Sequence, residues 1–226
     1  MNISENHAPD IEEMGDFFNK RADTYESHMM NEVDGYEEYY AETARYIPKD
    51  KAIRLLDIGC GTGLELEEIF KLNPFVKVTG IDLADKMLER LREKYSHKKD
   101  QISLINDSYF HVDYGRESYD AALSVMTLHH FTHEEKLKIY KKLYDSLVEH
   151  GMYIETDYTA ENQEQEDYFY GELKRIKKEN NIKEGFYHYD TPCTVENIIM
   201  LLKQAGFKDV QLNWRKRATS IITAVK

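Results

Sequence analysis

The chain has 226 residues, of which 41% are hydrophobic and 32% charged, and its formal net charge is -12. This balance is typical of a folded domain and argues against a disordered chain. The acidic excess disfavours binding to a nucleic-acid backbone, so we expect a small-molecule ligand and no nucleic-acid partner. No apolar run approaches the roughly 18 residues of a membrane span, and the acidic N-terminus lacks the apolar region of a secretory signal.

The two cysteines, Cys60 and Cys193, are far apart in the sequence. Neither a disulfide framework nor a cysteine-based zinc site is therefore expected, and we predict a reducing, cytoplasmic environment. No internal repeat or low-complexity linker divides the chain, which predicts one domain over residues 1–226.

The pattern of apolar residues changes after Pro48. Residues 10–47 have loose helical spacing, and the proline ends that segment. Apolar runs of strand length then alternate with amphipathic helices. The predicted strands are 53–58, 76–81, 101–106, 119–126 and 152–156, and the predicted helices are 64–72, 84–95 and one from Thr132 to Gly151. Thr132 and Glu135 have the spacing of a capping box, and Gly151 is placed as a C-terminal glycine.

We interpret this order as a strand–helix unit repeated four times and followed by a fifth strand. It predicts parallel strands with helices on both faces. An aromatic-rich insert follows over 158–192, then a helix over 195–205 and two antiparallel strands, 208–214 and 218–225. The insert could cover a substrate pocket, or pack as a cap or as a homodimer surface. The domain thus divides into an N-terminal helical cap (1–50), a core (51–157), the insert (158–192) and a C-terminal part (193–226).

A glycine-rich segment, Leu-Asp-Ile-Gly-Cys-Gly-Thr-Gly at 56–63, follows the first strand. Its glycines permit close approach of a ligand to the backbone at the strand ends. A dinucleotide loop needs glycine where this chain has Leu64. Asp57 lies in the segment, and glutamates follow it at Glu65, Glu67 and Glu68. Carboxylates repel a pyrophosphate and favour a cation, although the glutamates could serve only the helix dipole.

Acidic residues also end the second and third predicted strands. Asp82 lies about 20 residues after the glycine-rich segment, where a carboxylate reaches ribose hydroxyls in this fold. It could instead cap the following helix. Asp107, next to Ser108, could accept a hydrogen bond from an adenine amino group or form an ordinary turn.

Together these residues resemble the class I S-adenosylmethionine-dependent methyltransferases, in particular the small-molecule branch that includes the ubiquinone/menaquinone C-methyltransferases. The resemblance rests on segments 56–63, 120–131 and 201–207 and on Asp82. Segment 120–131 ends in Leu-His-His-Phe. The resemblance implies an α/β, doubly wound, seven-stranded, mostly parallel sheet with an antiparallel last strand. It also implies S-adenosylmethionine as cofactor and methyl transfer by in-line displacement at the sulfonium.

The resemblance further implies a set of cofactor-binding residues, which extends from the N-terminal cap to the fourth strand: Arg21, Tyr25, Asp57, Gly59, Cys60, Gly61, Gly63, Asp82, Leu83, Met87, Asp107, Ser108 and Ser124. His129 and His130 follow the fourth strand and are candidate general bases, or else they pack under the loop and bond the backbone. A metal ion held by His129, His130 and His133 is not expected, because neighbouring residues do not share a helix face.

Three other functions are compatible with parts of this sequence. A nicotinamide-dependent oxidoreductase is disfavoured by Leu64 and Asp57. Aminopropyl transfer is disfavoured because we find no paired aspartates after the fourth strand. A non-catalytic module that binds S-adenosylmethionine stays open, and the sequence does not identify the acceptor atom.

Overall fold

The N-terminal part forms separate helices where the sequence predicts one helical region. The structure, a computed structural model, describes residues 11–32, 35–49 and 52–226. In it, α1 (Met14–Arg21), α2 (Tyr25–Glu32) and α3 (Tyr36–Arg45) precede the sheet. The acidic N-terminal segment 1–10 and parts of the predicted cap at 33–34 and 50–51 lie outside the described residues.

The sheet has the predicted α/β, doubly wound arrangement. Its strands are β1 (Arg54–Ile58), β2 (Lys77–Asp82), β3 (Ile102–Asn106), β4 (Tyr119–Val125), β5 (Leu147–Ala160), β6 (Cys193–Thr194), β7 (Asp209–Lys216) and β8 (Thr219–Val225). The order along the sheet is β3-β2-β1-β4-β5-β8-β7. The strands from β3 to β5 are parallel, whereas β8 is antiparallel to both of its neighbours, β5 and β7. The short β6, which the sequence did not predict, pairs with β5.

Helices cover both faces of the sheet. They are α4 (Leu64–Leu72), α5 (Asp85–Lys94), α6 (His133–Ser146), α7 (Gln163–Glu179) and α8 (Val195–Ala205). Leu55 packs into a core with α3, α4 and α5, and the next residue, Leu56, packs into a second core with α6 and α8. Both leucines are fully buried. This explains why β1 is a continuous apolar run rather than an alternating one.

The predicted fourfold strand–helix repeat is wrong between β3 and β4. Residues 107–118 contain no helix. Asp107 accepts a hydrogen bond from Ser108 N, and Asp113 accepts one from Gly115 N. These local bonds compete with helix formation, and the segment crosses between the strands as turns.

The helix before β5 begins as predicted but ends earlier. The Thr132 and Glu135 side chains form the reciprocal hydrogen bonds of a capping box. The helix ends at Ser146, and Leu147 is already extended at φ -78° and ψ 145°. Gly151 therefore lies inside β5 and is not a helix C-terminal residue. The pairing of β4 with β5 shifts register between Tyr119 and Ala121, which accommodates the longer strand. Across the described ranges, no helix has both the length and the apolar character of a membrane span.

The predicted insert begins at the end of β5, continues as α7 and returns as a loop over residues 180–192. Glu166 of α7 is buried and fixes this arrangement. Its carboxylate accepts hydrogen bonds from Thr194 N at 2.5 Å and from Asn197 Nδ2 at 2.9 Å, and it lies 2.6 Å from His133 Nε2. One buried carboxylate therefore joins α7 to α6 and α8.

We expect Glu166→Ala to lower the free energy of unfolding by about 1–3 kcal/mol, because buried donors lose their acceptor. Urea unfolding measures this loss. Glu164→Ala is the control, since Glu164 is exposed in the first turn of the same helix. Equal losses in the two variants would contradict the role given to Glu166.

Candidate functional site

The turn between β1 and α4 brings the backbone close to two neighbouring strands. Gly59 has a φ of 71°, and a Cβ there would lie 2.5 Å from the Thr127 side chain. Its N–H donates to Ile81 O at 2.7 Å. Gly61 has a φ of 47°, and a Cβ there would meet nothing within 4 Å. The turn is therefore packed against the protein at Gly59 and open at Gly61.

Asp82 connects the end of β2 to this turn. One carboxylate oxygen accepts from Gly61 N at 2.8 Å, and the other accepts from Ala84 N at 2.8 Å. Burial raises the pKa of Asp82 above its ordinary value, although these backbone donors oppose the shift. Asp82 thus positions the glycine turn and also the start of α5.

Two more carboxyl groups lie beneath the turn. Asp57 and Glu65 are 1% and 5% exposed, and each carboxyl group affects the pKa of the other. Asp57 Oδ2 and Glu65 Oε1 have no hydrogen-bond partner among the described residues. Burial raises the pKa of Glu65 to about 7, and burial with the adjacent Glu65 charge raises that of Asp57. The exposed Glu67 instead pairs with Lys71, so only the first glutamate of α4 belongs to the site.

A cleft of about 660 Å³, its solvent-filled mouth included, lies over the turn; we call it the central cleft. Several predicted cofactor-binding residues line it: Tyr25, Gly59, Gly61, Asp82, Leu83, Met87 and Ser108. One wall is aromatic, where Phe110 stacks on Phe186 with ring centroids 4.5 Å apart. Flat apolar walls beside backbone and carboxylate groups suit a nucleoside ligand.

The structure does not bring the other predicted contacts into the lining: Arg21, Asp57, Cys60, Gly63, Asp107 and Ser124. Ser124 is buried and hydrogen-bonds to Tyr153 OH, and Cys60 packs against Gly80. Asp107 has a half-exposed side chain and bonds to Ser108 N. Arg21 donates to Glu12 at 2.8 Å and lines a neighbouring cavity. Val125 and Met126, which follow Ser124, line the cleft instead.

That neighbouring cavity, which we call the side pocket, has a volume of about 1310 Å³ with its open solvent. It shares four lining residues with the central cleft: Phe18, Tyr25, Met126 and His130. Met126 has a φ of 50°, and its N–H donates to Thr156 O. Such a left-handed non-glycine residue costs energy that the surrounding structure must supply, and it stands where the two cavities meet.

His129 is held by a carboxylate that the sequence analysis did not identify. Its Nδ1 lies 2.5 Å from Asp157 Oδ1. Asp157 Oδ2 also accepts from Leu128 N and His129 N. Burial opposes the charged imidazole, but Asp157 outweighs it and raises the pKa of His129 above its ordinary value. Asp157 lies at the same sheet edge as His129, since β5 is parallel to β4, and that rule could have identified it.

His130 faces the loop over residues 180–192. Its Nδ1 is 3.2 Å from Asp190 Oδ1, which is also 3.6 Å from His129 Nε2. Burial lowers the pKa of His130. Burial and the neighbouring His130 together lower the pKa of His188 to about 4. His133 lies elsewhere, against Glu166 and Cys193, so the structure does not assemble the trio His129, His130 and His133. No sequence signal pointed to His188 or Asp190.

The raised pKa of Glu65 makes the stability of the ligand-free protein depend on pH. Between the ordinary value of 4.5 and about 7, folded Glu65 keeps a proton that the unfolded chain has lost. Stability should therefore fall as the pH rises from about 4.5 to about 7. Melting temperatures of the protein and of Glu65→Gln test this, because the variant should lose part of that slope. The exposed Glu67→Gln is the control, and an unchanged slope in Glu65→Gln would contradict the burial effect.

Comparison with known proteins identifies the same region. A family described as "Methyltransferase domain" matches residues 55–151. A carboxy-S-adenosyl-L-methionine synthase from Nitratiruptor sp. is 25% identical, with 97% of this chain and 96% of the relative aligned. The structure of magnesium protoporphyrin IX methyltransferase from Synechocystis, with bound SAH, has a TM-score of 0.65 and 18% identity. The aligned region covers 94% of this chain and 97% of the chain in that structure.

Other matched structures are longer than this chain. The structure of an O-methyltransferase-like protein from Nostoc punctiforme has a TM-score of 0.70 and 22% identity to this chain. The aligned region covers 95% of this chain and 62% of that one. The matched region, residues 55–151, contains the glycine turn and Asp82. Residues 55–151 therefore match a methyltransferase domain, and over nearly its whole length the chain is similar to a carboxy-S-adenosyl-L-methionine synthase and to a methyltransferase of known structure.

Proposed function

We propose that this enzyme transfers a methyl group from a cofactor in the central cleft to a small-molecule acceptor in the side pocket. One observation carries the proposal: the two cavities meet at Phe18, Tyr25, Met126 and His130. Two ligands that meet at such a junction can react by in-line displacement without a moving domain.

The groups beneath the glycine turn fit the charge of the cofactor. Asp57 and Glu65 have buried oxygens whose acceptor capacity no described residue uses. Burial favours their neutral forms, and a positively charged ligand nearby would favour the ionised forms. S-adenosylmethionine carries an ammonium and a sulfonium, and it supplies a methyl group already activated for transfer. The protein's task is therefore alignment and exclusion of water.

Each end of the cofactor has residues to hold it. We assign the ribose hydroxyls to Asp82, because its carboxylate is fixed by Gly61 N and Ala84 N at the cleft wall. Leu83, Met87 and Ser108 line the same cavity and would flank the adenine. Tyr25 lines both cavities and is placed near the methionine portion. Arg21 belongs to the side pocket in this assignment.

We place His129 and His130 on the acceptor side, as the groups that orient the acceptor or take its proton. His130 lines both cavities, so an acceptor beside the cofactor methyl would contact it. His129 lines only the side pocket and is oriented by Asp157. Removal of a proton matters only when the acceptor atom must lose one during transfer.

Several finer expectations stay proposals. We favour the branch that resembles the ubiquinone/menaquinone C-methyltransferases, on the Leu-His-His-Phe segment at 128–131. A cytoplasmic location agrees with two free, buried cysteines, Cys60 and Cys193. The net charge of -12 supports a small molecule rather than a nucleic acid. A homodimer is also a prediction, and the exposed Tyr168 of α7 is its candidate surface residue.

The relative from Nitratiruptor sp., which aligns over nearly the whole chain, supports a second reaction. Its name describes the synthesis of carboxy-S-adenosyl-L-methionine. Such an enzyme modifies the cofactor itself rather than a separate acceptor. The same two cavities would accommodate that reaction, with the second reactant in the side pocket.

Incubation of the purified chain with S-adenosylmethionine labelled at the methyl group, and with a metabolite extract, separates these reactions. Methyl transfer gives a labelled acceptor and S-adenosylhomocysteine. Modification of the cofactor gives a carboxylated S-adenosylmethionine that mass spectrometry resolves. If the cofactor binds but neither product forms, the chain is a binding module and the proposal is wrong.

Asp82→Ala should weaken binding of S-adenosylmethionine by about 1–3 kcal/mol, or about 5- to 150-fold, because a charged hydrogen bond to the ligand is lost. Titration calorimetry measures the affinity. Asp85→Ala is a matched control, since Asp85 is exposed three residues later in the first turn of α5. Unchanged affinity in Asp82→Ala would contradict the assignment of the ribose site.

A further inference from the structure

Two imidazoles and a carboxylate converge at the wall of the side pocket, and one of them, His130, also lines the central cleft. We infer that His129, His130 and Asp190 bind a divalent transition-metal ion there. One potential ligand atom of each residue lies within 4.8 Å of the other two. Asp190 Oδ1 is 3.6 Å from His129 Nε2 and 3.2 Å from His130 Nδ1. Tetrahedral ligands about 2.1 Å from a metal are about 3.4 Å apart, so these separations suit an ion between them.

Asp157 gives His129 the orientation of a metal ligand. Asp157 is buried, and its Oδ1 contacts His129 Nδ1 at 2.5 Å. A proton on Nδ1 leaves the lone pair on Nε2, the nitrogen that faces Asp190. Histidine ligands in proteins are commonly held in this way, with a carboxylate on the nitrogen remote from the metal.

The loop that carries Asp190 is fixed to the backbone of His129. Thr191 donates to His129 O twice, from its N–H at 2.6 Å and from its hydroxyl at 3.0 Å. All three ligands are therefore assembled before an ion binds, although Asp190 is distant from the histidines in sequence. Two imidazole nitrogens and one carboxylate favour zinc, iron or cobalt over magnesium or calcium.

A second cluster, His133, Glu166 and Cys193, satisfies the same distance criterion. Its carboxylate already accepts from Thr194 N and Asn197 Nδ2, and it fixes α7 to α8. None of the three residues lines the central cleft or the side pocket. That cluster is a structural contact and serves as an internal control.

The consequence for catalysis rests on the proposed function. Three protein ligands leave a coordination position open on the side-pocket face. An acceptor oxygen, from an alcohol, phenol or carboxylate, suits that position. A bound ion would lower the pKa of an alcohol or phenol hydroxyl, so that its proton passes to solvent water and no histidine base is needed.

Titration of Zn²⁺ into the chelator-treated full chain, without cofactor or acceptor, tests the site. Calorimetry should show one saturable equivalent, and Co²⁺ should give the visible absorption of a nitrogen- and oxygen-coordinated ion. We expect Asp190→Asn and Asp157→Asn each to weaken Zn²⁺ binding by about 10- to 100-fold. Cys193→Ser and the exposed Asp167→Asn should leave it unchanged. Melting curves check folding, and His130→Gln replaces any variant that does not fold.

Two results would overturn the inference: no saturable Zn²⁺ binding, or binding lost in Cys193→Ser but kept in Asp190→Asn. Because this titration uses neither cofactor nor acceptor, its result does not depend on methyl transfer. Zinc binding without any methylated product would contradict the proposed function alone. Methyl transfer that persists in a chain unable to bind metal would contradict the catalytic role of the ion and would leave the metal site itself intact.

Discussion

The close approach of the glycine turn to its neighbouring strands is the constraint on which the rest of the site depends. Gly59 lies so near Thr127 that any side chain there would overlap it, and its N–H bonds to Ile81 O. Asp82 then fixes Gly61 from the end of β2. These contacts hold the carboxyl ends of three adjacent strands in one surface.

Charge is distributed differently in the two cavities. Beneath the glycine turn, Asp57 and Glu65 are buried and keep acceptor oxygens that no described residue uses. In the proposed complex, a cationic ligand would supply the missing interaction. In the side pocket, the carboxylates Asp157 and Asp190 already face imidazoles. The first cavity therefore attracts positive charge, while the second can hold an ion or handle a proton. A methyl group transferred between them would pass beside Met126 and His130.

Sequence periodicity identified the strands and helices wherever helical or strand spacing was clear. It did not identify where a helix ends and a strand begins, or which face of a buried strand a residue occupies. Gly151 looked like a helix C-terminal residue, but pairing with β4 and β8 extends β5 to Leu147. The family resemblance implied Ser124, near the end of β4, as a cofactor contact, whereas in the structure its hydroxyl hydrogen-bonds to Tyr153 OH. In a strand buried on both faces, hydrophobicity does not alternate, so the face that a given residue occupies cannot be inferred from the pattern.

The sequence by itself determined the α/β class, the antiparallel end of the sheet, the glycine turn and the position of Asp82 at the end of the second strand. These depend on local spacing and on the rule that parallel strands end at one edge. Only the tertiary structure decided that Glu65 is buried beside Asp57, that His129 pairs with Asp157, and that Asp190 reaches both histidines. Some of these contacts join residues that are distant in the sequence. Others depend on which side of a helix packs against the rest of the protein. Burial and proximity, which set their charge and chemistry, arise only when the chain is packed.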